Sequence, residues 1–303
     1  MFKILVSDII NFLGDHIIQV KGSFENRAVA YIKPIEETDE YTLDWINSSH
    51  INKQEIAENS LARVIICDPS ITYSPNLLDA GKVLIQVDNP RLVISMVANK
   101  FFSVKPEIGI SKNTTIHPEA RIASSVSIDS YCVVGKCVIG ENTIIHANVT
   151  IYDNVIIGDN CLIHAGTVIG TDGLGCNRLK DGTLVKFPHF GGVEIGNDVE
   201  IGANCQIARG ALSNTIIGDG SKLNGLCFIA HNCVLGKNVW ITGNTMLAGS
   251  VKVKDNVTIY SGVIIREQRT IGKESVIGMG SVVTKDIPDN EVWFGSPAKN
   301  SKL

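Results

Sequence analysis

Residues 217–283 read IGDGSKLNGLCFIAHNCVLGKNVWITGNTMLAGSVKVKDNVTIYSGVIIREQRTIGKESVIGMGSVV. In this stretch Ile217, Leu223, Ile229, Leu235, Ile241, Leu247, Val253, Ile259, Ile265, Ile271, Ile277 and Val283 fall six apart without a miss. A period of six is not helical, and it is not simple strand alternation, because the aliphatic anchor returns once per three alternations. It is the signature of a repeat. Each six-residue unit predicts a short strand and a turn, and three units close one triangular coil of about 18 residues. Anchors point inward and stack coil on coil, while Gly, Asn and Asp take the corners, where turns favour them. The fold class expected is mainly β: a left-handed parallel β-helix with a small N-terminal α/β domain. Its hand is an exception to the usual right-handed crossover.

Working toward the N-terminus, a second short break, ARGALSNT, separates Ile207 from Ile217, and the period holds at Ile195, Ile201 and Ile207. Residues 171–192, TDGLGCNRLKDGTLVKFPHFGG, interrupt it with five Gly, one Pro and mixed charge. A long loop ejected from a regular solenoid serves binding or contact with a neighbouring chain. Below the loop the anchors continue from Ile169 to Ile139, lose one residue, and resume from Val134 to Ile116. The β-helix domain is therefore placed at 106–285, with the prism itself from about 116 and some nine coils. Residues 1–105 lack the period. There, IIQVKG, AVAYI, RVIICD and KVLIQVD read as strands. LDWINSSHINKQEIAEN and RLVISMVANKFF read as helical, which makes a small α/β domain. Pro106 marks the boundary. That domain serves as a cap on the open prism end or as a ligand domain. Residues 286–303, with Pro288, Pro297 and the Trp293-Phe294 pair, read as a turn or extended tail.

The 303 residues suffice for one large and one small domain. A net charge of −4 leaves no nucleic-acid footprint. The apolar runs are too short for a membrane span. The start, MFKILVSDIINFLGDH, reads as structure rather than signal peptide. Eight Cys form no Cys-x-x-Cys pair, so neither a zinc knuckle nor a disulfide framework is expected, and a reducing cytoplasm is the compartment. No metal or permanently bound cofactor is expected.

Seven His carry the chemistry candidates. His16 and His50 read as surface residues, and His117, His146 and His164 as corner or edge residues. His189 lies in the ejected loop between Phe187 and Phe190, within reach of a ligand. His231, in FIAHNCVLG, follows the anchor Ile229 at an outward turn, with Asn232 beside it. One coil on, 18 residues away, stands Gly249 in MLAGS. A bare amide over an imidazole suits acyl transfer. His231 is the candidate general base toward an amine, and the Gly249 N–H the donor to the thioester oxyanion.

The segments HANVTIYDNVIIGDNCLIHAGTVIGTDGLG, VEIGNDVEIGANCQIARGALSNTIIG, FIAHNCVLG and MLAGS resemble the UDP-3-O-acylglucosamine N-acyltransferases of lipid A synthesis. The likeness extends more weakly through VLIQVDNPRLVISMVANKF. It implies a homotrimer of left-handed prisms with active sites between chains. In it His231 is the base, Gly249 the oxyanion donor, and an aromatic of the first domain, assigned here to Tyr31, stacks on uracil. Two departures stand out. That family has a helical segment after the prism for acyl carrier protein, whereas IGMGSVVTKDIPDNEVWFGSPAK is similar to the tail of acetyl-CoA-dependent hexapeptide acetyltransferases. That likeness points Lys285, Lys299 and Lys302 at coenzyme A phosphates, with Gly249 also on the donor. Where the family carries a second His, this chain has Gln268. The resulting expectation is a nucleotide-sugar N-acetyltransferase. Acetyl-CoA is its co-substrate and a UDP-linked amino sugar of surface polysaccharide (O-antigen or lipopolysaccharide) its acceptor. Asn232 and His189 hold the sugar or its diphosphate. The alternatives are the lipid A N-acyltransferase with an acyl carrier protein thioester, a zinc hydratase on the same prism, and a non-catalytic scaffold.

Overall fold

The computed structural model describes residues 3–104 and 107–301. Pro106, read above as the boundary, and Lys302 lie outside the described residues. The chain divides into two compact units, Met1–Lys105 and Pro106–Leu303.

The second unit is a left-handed parallel β-helix, and its coil repeat follows the period of six. Its strands are mostly two residues long, because a six-residue unit spends the rest on its corner. One face begins at Gly109–Ile110 and climbs through Ser127–Ile128 and Ile144–Ile145. A second runs from Thr115–Ile116 through Phe228–Ile229 and Met246–Leu247 to Val282–Val283. The third runs from Arg121–Ile122 through Val234–Leu235 to Thr270–Ile271. The register locks anchor onto anchor: Ile229 pairs with Leu247, Leu247 with Ile265, and Ile265 with Val283. These anchors are fully buried, each contributing roughly 1.5–3 kcal/mol.

Corners need backbone in the left-handed region, and Asn tolerates it because its short amide bonds locally. Asn148, Asn160, Asn204, Asn232, Asn238, Asn244 and Asn256 all have φ between 53° and 62°. Six of the prism's cysteines (Cys132, Cys137, Cys161, Cys205, Cys227 and Cys233) are buried in its core, and every cysteine is free. Burial pushes the Cys137 and Cys233 thiols up to about 12, so neither is a nucleophile at neutral pH.

Both ends of the prism differ from the sequence reading. It starts one strand earlier, at Gly109–Ile110. At the other end the tail does not leave. Ile287 bridges to Ile271, and Val292–Phe294 adds a parallel strand on Val276–Ile277, placing Trp293 over Ile277. Lys299–Asn300 then folds back antiparallel. Ile287 and Ala298 are buried, and Trp293 packs on the core end.

The first unit is a four-stranded mixed sheet in the order Ile17–Lys21, Val83–Val87, Val64–Cys67, Leu43–Trp45, with a separate ribbon of Ile4–Leu5 and Ala28–Val29. LDW, read as helical, is a strand instead. It pairs in parallel with Val64–Ile66 and buries Leu43 and Asp44, so sheet burial overrides a local helical pattern. The helix of that stretch is confined to Lys53–Asn59. No described helix is long and apolar enough to cross a membrane.

Candidate functional site

The irregular features all leave the prism at one edge, the corner between the second and third faces. The ejected loop departs after Val168–Thr171 and returns at Val193–Ile195. One lap on, the ARGALSNT break bulges between Gln206–Ala208 and Thr215–Ile217. The next lap places His231 and Asn232 there, and the following laps add Gly249, then Glu267 and Gln268, then Lys285. Laps stand about 4.8 Å apart, so loop, bulge, imidazole and glycine form one vertical array.

The His231 ring is half-buried on the outside of the prism, while its neighbour Cys233 faces the core. Its Nδ1 lies 3.0 Å from Asn232 Oδ1. That oxygen also accepts the backbone N–H of Ala211 at 3.0 Å, which fixes it as oxygen, not nitrogen. His231 Nδ1 must therefore donate, and Nε2 keeps its lone pair. This is the tautomer a general base needs.

Asn232 is itself held. Its amide nitrogen donates to the Ser213 carbonyl at 3.2 Å and hydroxyl at 2.9 Å, and its backbone N–H donates to Thr215 Oγ1. With both ends of the amide committed inside the chain, Asn232 orients His231. The sugar contact expected of it from sequence has no free polar atom on that side chain to use.

Gly249 stacks on the imidazole. A Cβ there would lie 2.7 Å from His231 Cε1 and 2.8 Å from Nε2. Its N–H has no hydrogen-bond partner among the described residues. The N–H of His231, at the same corner position one lap below, is equally bare. The glycine is distinctive in lacking the Cβ that would collide with the ring.

The ejected loop contains a hairpin of Cys176–Arg178 and Leu184–Lys186. Its return zips onto the bulge, with Phe190 N–H donating to the Ala211 carbonyl at 2.8 Å and Gly191 N–H to the Gly210 carbonyl at 3.0 Å. Arg209 pins the base of both, through Nε to the Gly170 carbonyl and a guanidinium NH2 to the Asp153 carbonyl. This folds His189 onto His231, ring centroids 5.4 Å apart and planes at 76°. Arg209, Ser213 and Asn214 were not singled out by sequence reasoning; the break in the period at ARGALSNT was the signal.

The remaining candidates are scattered. His146 and His164 stack at 5.3 Å on another corner and face Asp129 and Glu200. His117 lies on the loop edge, several laps below, and accepts from the Glu119 N–H. Lys285 stands three laps above His231, whereas Lys299 is on the added strand of the first face, so the two do not form one phosphate clamp. Tyr31, in the first unit, has Lys33 Nζ 4.5 Å from its ring centroid, which covers one face. Two open clefts flank the loop edge below His231. One of about 700 Å³ is lined by Arg121, Lys136, Ile156, Phe190 and Asn214. The other, about 650 Å³, is lined by Thr150, Tyr152, Asp172 and Arg209. Among the described residues, no group of three or more His, Cys, Asp or Glu is placed to hold a metal.

Two sequence signatures match: bacterial transferase hexapeptide (six repeats) over residues 136–171, and hexapeptide repeat of succinyl-transferase over 270–285. The chain is 37% identical over 217 residues to UDP-3-O-acylglucosamine N-acyltransferase 1 of Francisella tularensis subsp. holarctica, covering 64% of this chain and 62% of that one. It is 29% identical over 231 residues to the UDP-3-O-acylglucosamine N-acyltransferase of Polynucleobacter asymbioticus, covering 67% and 65%. The chain thus spans less than two thirds of the length of these relatives. Among solved structures it resembles the Francisella novicida UDP-N-acetylglucosamine acyltransferase, with TM-score 0.59, 28% identity, and coverage of 64% of this chain and 70% of that one. The Arabidopsis UDP-N-acetylglucosamine acyltransferase gives TM-score 0.54, 29% identity, and coverage of 64% and 74%. The suspected likeness to lipid A acyltransferases therefore stands.

Proposed function

We propose that the chain transfers an acyl group from a thioester to the amine of a UDP-linked amino sugar, with His231 as general base. The observation that carries this is the stacked pair: an imidazole locked with a free Nε2 beneath a glycine amide without a partner. The amine nitrogen attacks the thioester carbonyl while His231 Nε2 takes its proton, and the Gly249 N–H stabilises the oxyanion. The tetrahedral intermediate collapses with cleavage of the C–S bond, and the imidazolium returns its proton to the departing sulfur. Products are an amide and a free thiol. With the Cys233 thiol at about 12, direct attack by the amine is the route the site supports.

The names of the relatives support N-acylation of a 3-O-acylated UDP-glucosamine, the acceptor of the lipid A reading; the donor in that reading is an acyl carrier protein thioester. The names favour that reading over the acetyl-CoA reading drawn from the tail. The separation of Lys285 from Lys299 weakens that second reading too. Tyr31 is the residue we assign to stacking on uracil. We take the site to be completed by another copy of the chain, as in the homotrimer that the resemblance implies. The test compares a long-chain hydroxyacyl carrier protein thioester with acetyl-CoA, both with UDP-3-O-acylglucosamine. Transfer from the carrier protein is expected; acetyl transfer alone would restore the acetyl-CoA reading, and transfer from neither would reject acylation of this acceptor.

A further inference from the structure

His189 has one ring nitrogen without a hydrogen-bond partner among the described residues. The residue is 7% exposed. Its Nδ1 lies 3.1 Å from the Phe187 carbonyl oxygen, and a carbonyl only accepts, so in the neutral ring Nδ1 carries the proton and Nε2 a bare lone pair. That Nε2 is buried without a hydrogen-bond partner among the described residues. Buried acceptors are rarely left so, and each such atom calls for an explanation.

The covering group is Gly173. A Cβ on it would lie 2.7 Å from His189 Nε2 and 2.9 Å from His231 Cδ2, so only bare backbone fits between the two imidazoles. The cover is lightly tied. Leu174 beside it is 81% exposed. Its fastenings include the exposed Asp172–Lys186 ion pair at 2.7 Å, a longer contact of 3.9 Å from Arg209 Nε to Asp172, and the Phe187 N–H to the Gly175 carbonyl; exposed and long pairs hold weakly.

We propose that His189 is a specificity-determining positioning residue that selects an amine over a hydroxyl as acyl acceptor; this rests on the acyltransfer reading. As the acceptor enters, the Gly173 segment lifts and His189 Nε2 accepts one N–H of the amine, while the other N–H faces His231 Nε2. The amine lone pair is then left for the thioester carbonyl. A hydroxyl has a single hydrogen. It satisfies one ring nitrogen and sets an oxygen lone pair against the other, a mismatch that a desolvated site penalises. The paired imidazoles thus match the two hydrogens of a primary amine, and binding supplies the partner His189 lacks.

The test uses three proteins: wild type, His189→Phe, which keeps a ring against His231 without an acceptor, and His189→Gln, whose amide oxygen restores one. Each is assayed with UDP-3-O-acylglucosamine and with UDP-3-O-acylglucose, a hydroxyl in place of the amine, using a long-chain hydroxyacyl carrier protein thioester. Thermal melting is measured on all three. We expect His189→Phe to lose about tenfold to a hundredfold in kcat/KM for the amine, through KM for the sugar rather than for the thioester. Its preference for amine over hydroxyl should shrink by the same factor, and His189→Gln should recover most of it. Unchanged amine preference in His189→Phe, or equal losses in both variants, would overturn the role of His189 alone. A wild-type protein that acylates neither sugar, from the carrier protein thioester or from acetyl-CoA, would overturn the acyltransfer reading and this inference with it.

Discussion

Replacing Gly249 with alanine isolates the stacking of imidazole and glycine from everything else at the site. The backbone there is outside the left-handed region, so alanine is conformationally acceptable, and the N–H remains. Only the methyl group is new, at 2.7 Å from His231 Cε1 and 2.8 Å from Nε2. Ordinary carbon contacts begin near 3.5 Å, so the ring must give way by about 0.8 Å or swing, against the hold of Asn232. A misplacement of about 1 Å at a reacting centre costs on the order of 10²-fold. Stability should move by less than about 1 kcal/mol, since glycine to alanine restricts the unfolded chain and roughly offsets the local clash. Single-turnover transfer from an acyl carrier protein thioester, beside thermal melts, reads both effects. A Gly249→Ala protein with wild-type turnover would refute the placement of chemistry between this amide and this ring.

Two further outcomes follow from other contacts. Asn232→Gly tolerates the φ of 60° at that corner while removing the amide that locks His231, so kcat should fall about tenfold to a hundredfold, with a lower melting temperature because the bonds to Ala211 and Ser213 go too; 15N NMR of labelled protein should show the imidazole losing its preference for protonation at Nδ1. In the first unit, burial alone would raise the Asp68 carboxyl, but the Lys53 ammonium at 2.7 Å and two bonds from Ser70 outweigh it and hold it at about 2 against an ordinary 3.8. Because the folded value is depressed, its contribution is complete above about pH 5 and is lost as pH falls toward 2. Denaturant unfolding from pH 5 to pH 2 should therefore show a shallower pH slope in Asp68→Asn.

The prism was legible because each lap must present an aliphatic anchor inward, and the anchors recur at every sixth residue from Ile217 to Val283. Its last turn was hidden for two reasons. The lap from Ile271 to Ile287 is shorter than 18 residues, and the inward position above Ile277 is filled by Trp293 instead of an aliphatic residue. The stacking of His231 and Gly249 could be counted from residue numbers, since the register adds 18 per lap. The approach of His189 could not, because the loop between Ile169 and Val193 carries no register. Its path is set by glycines, by Arg209 and by backbone bonds to the bulge, none of which has a periodic sequence mark. Asn232 was placed correctly beside His231, but its role depends on Ala211 and Ser213, which only the fold brings to it.

The most direct measurement is kcat for His231→Ala, with UDP-3-O-acylglucosamine and an acyl carrier protein thioester. The ring lies outside the core, so the variant should melt with the wild type. Loss of a positioned general base predicts a fall of about 10²–10⁴-fold in kcat. A folded His231→Ala protein that turns over at the wild-type rate would contradict the assignment of catalysis to this edge of the prism.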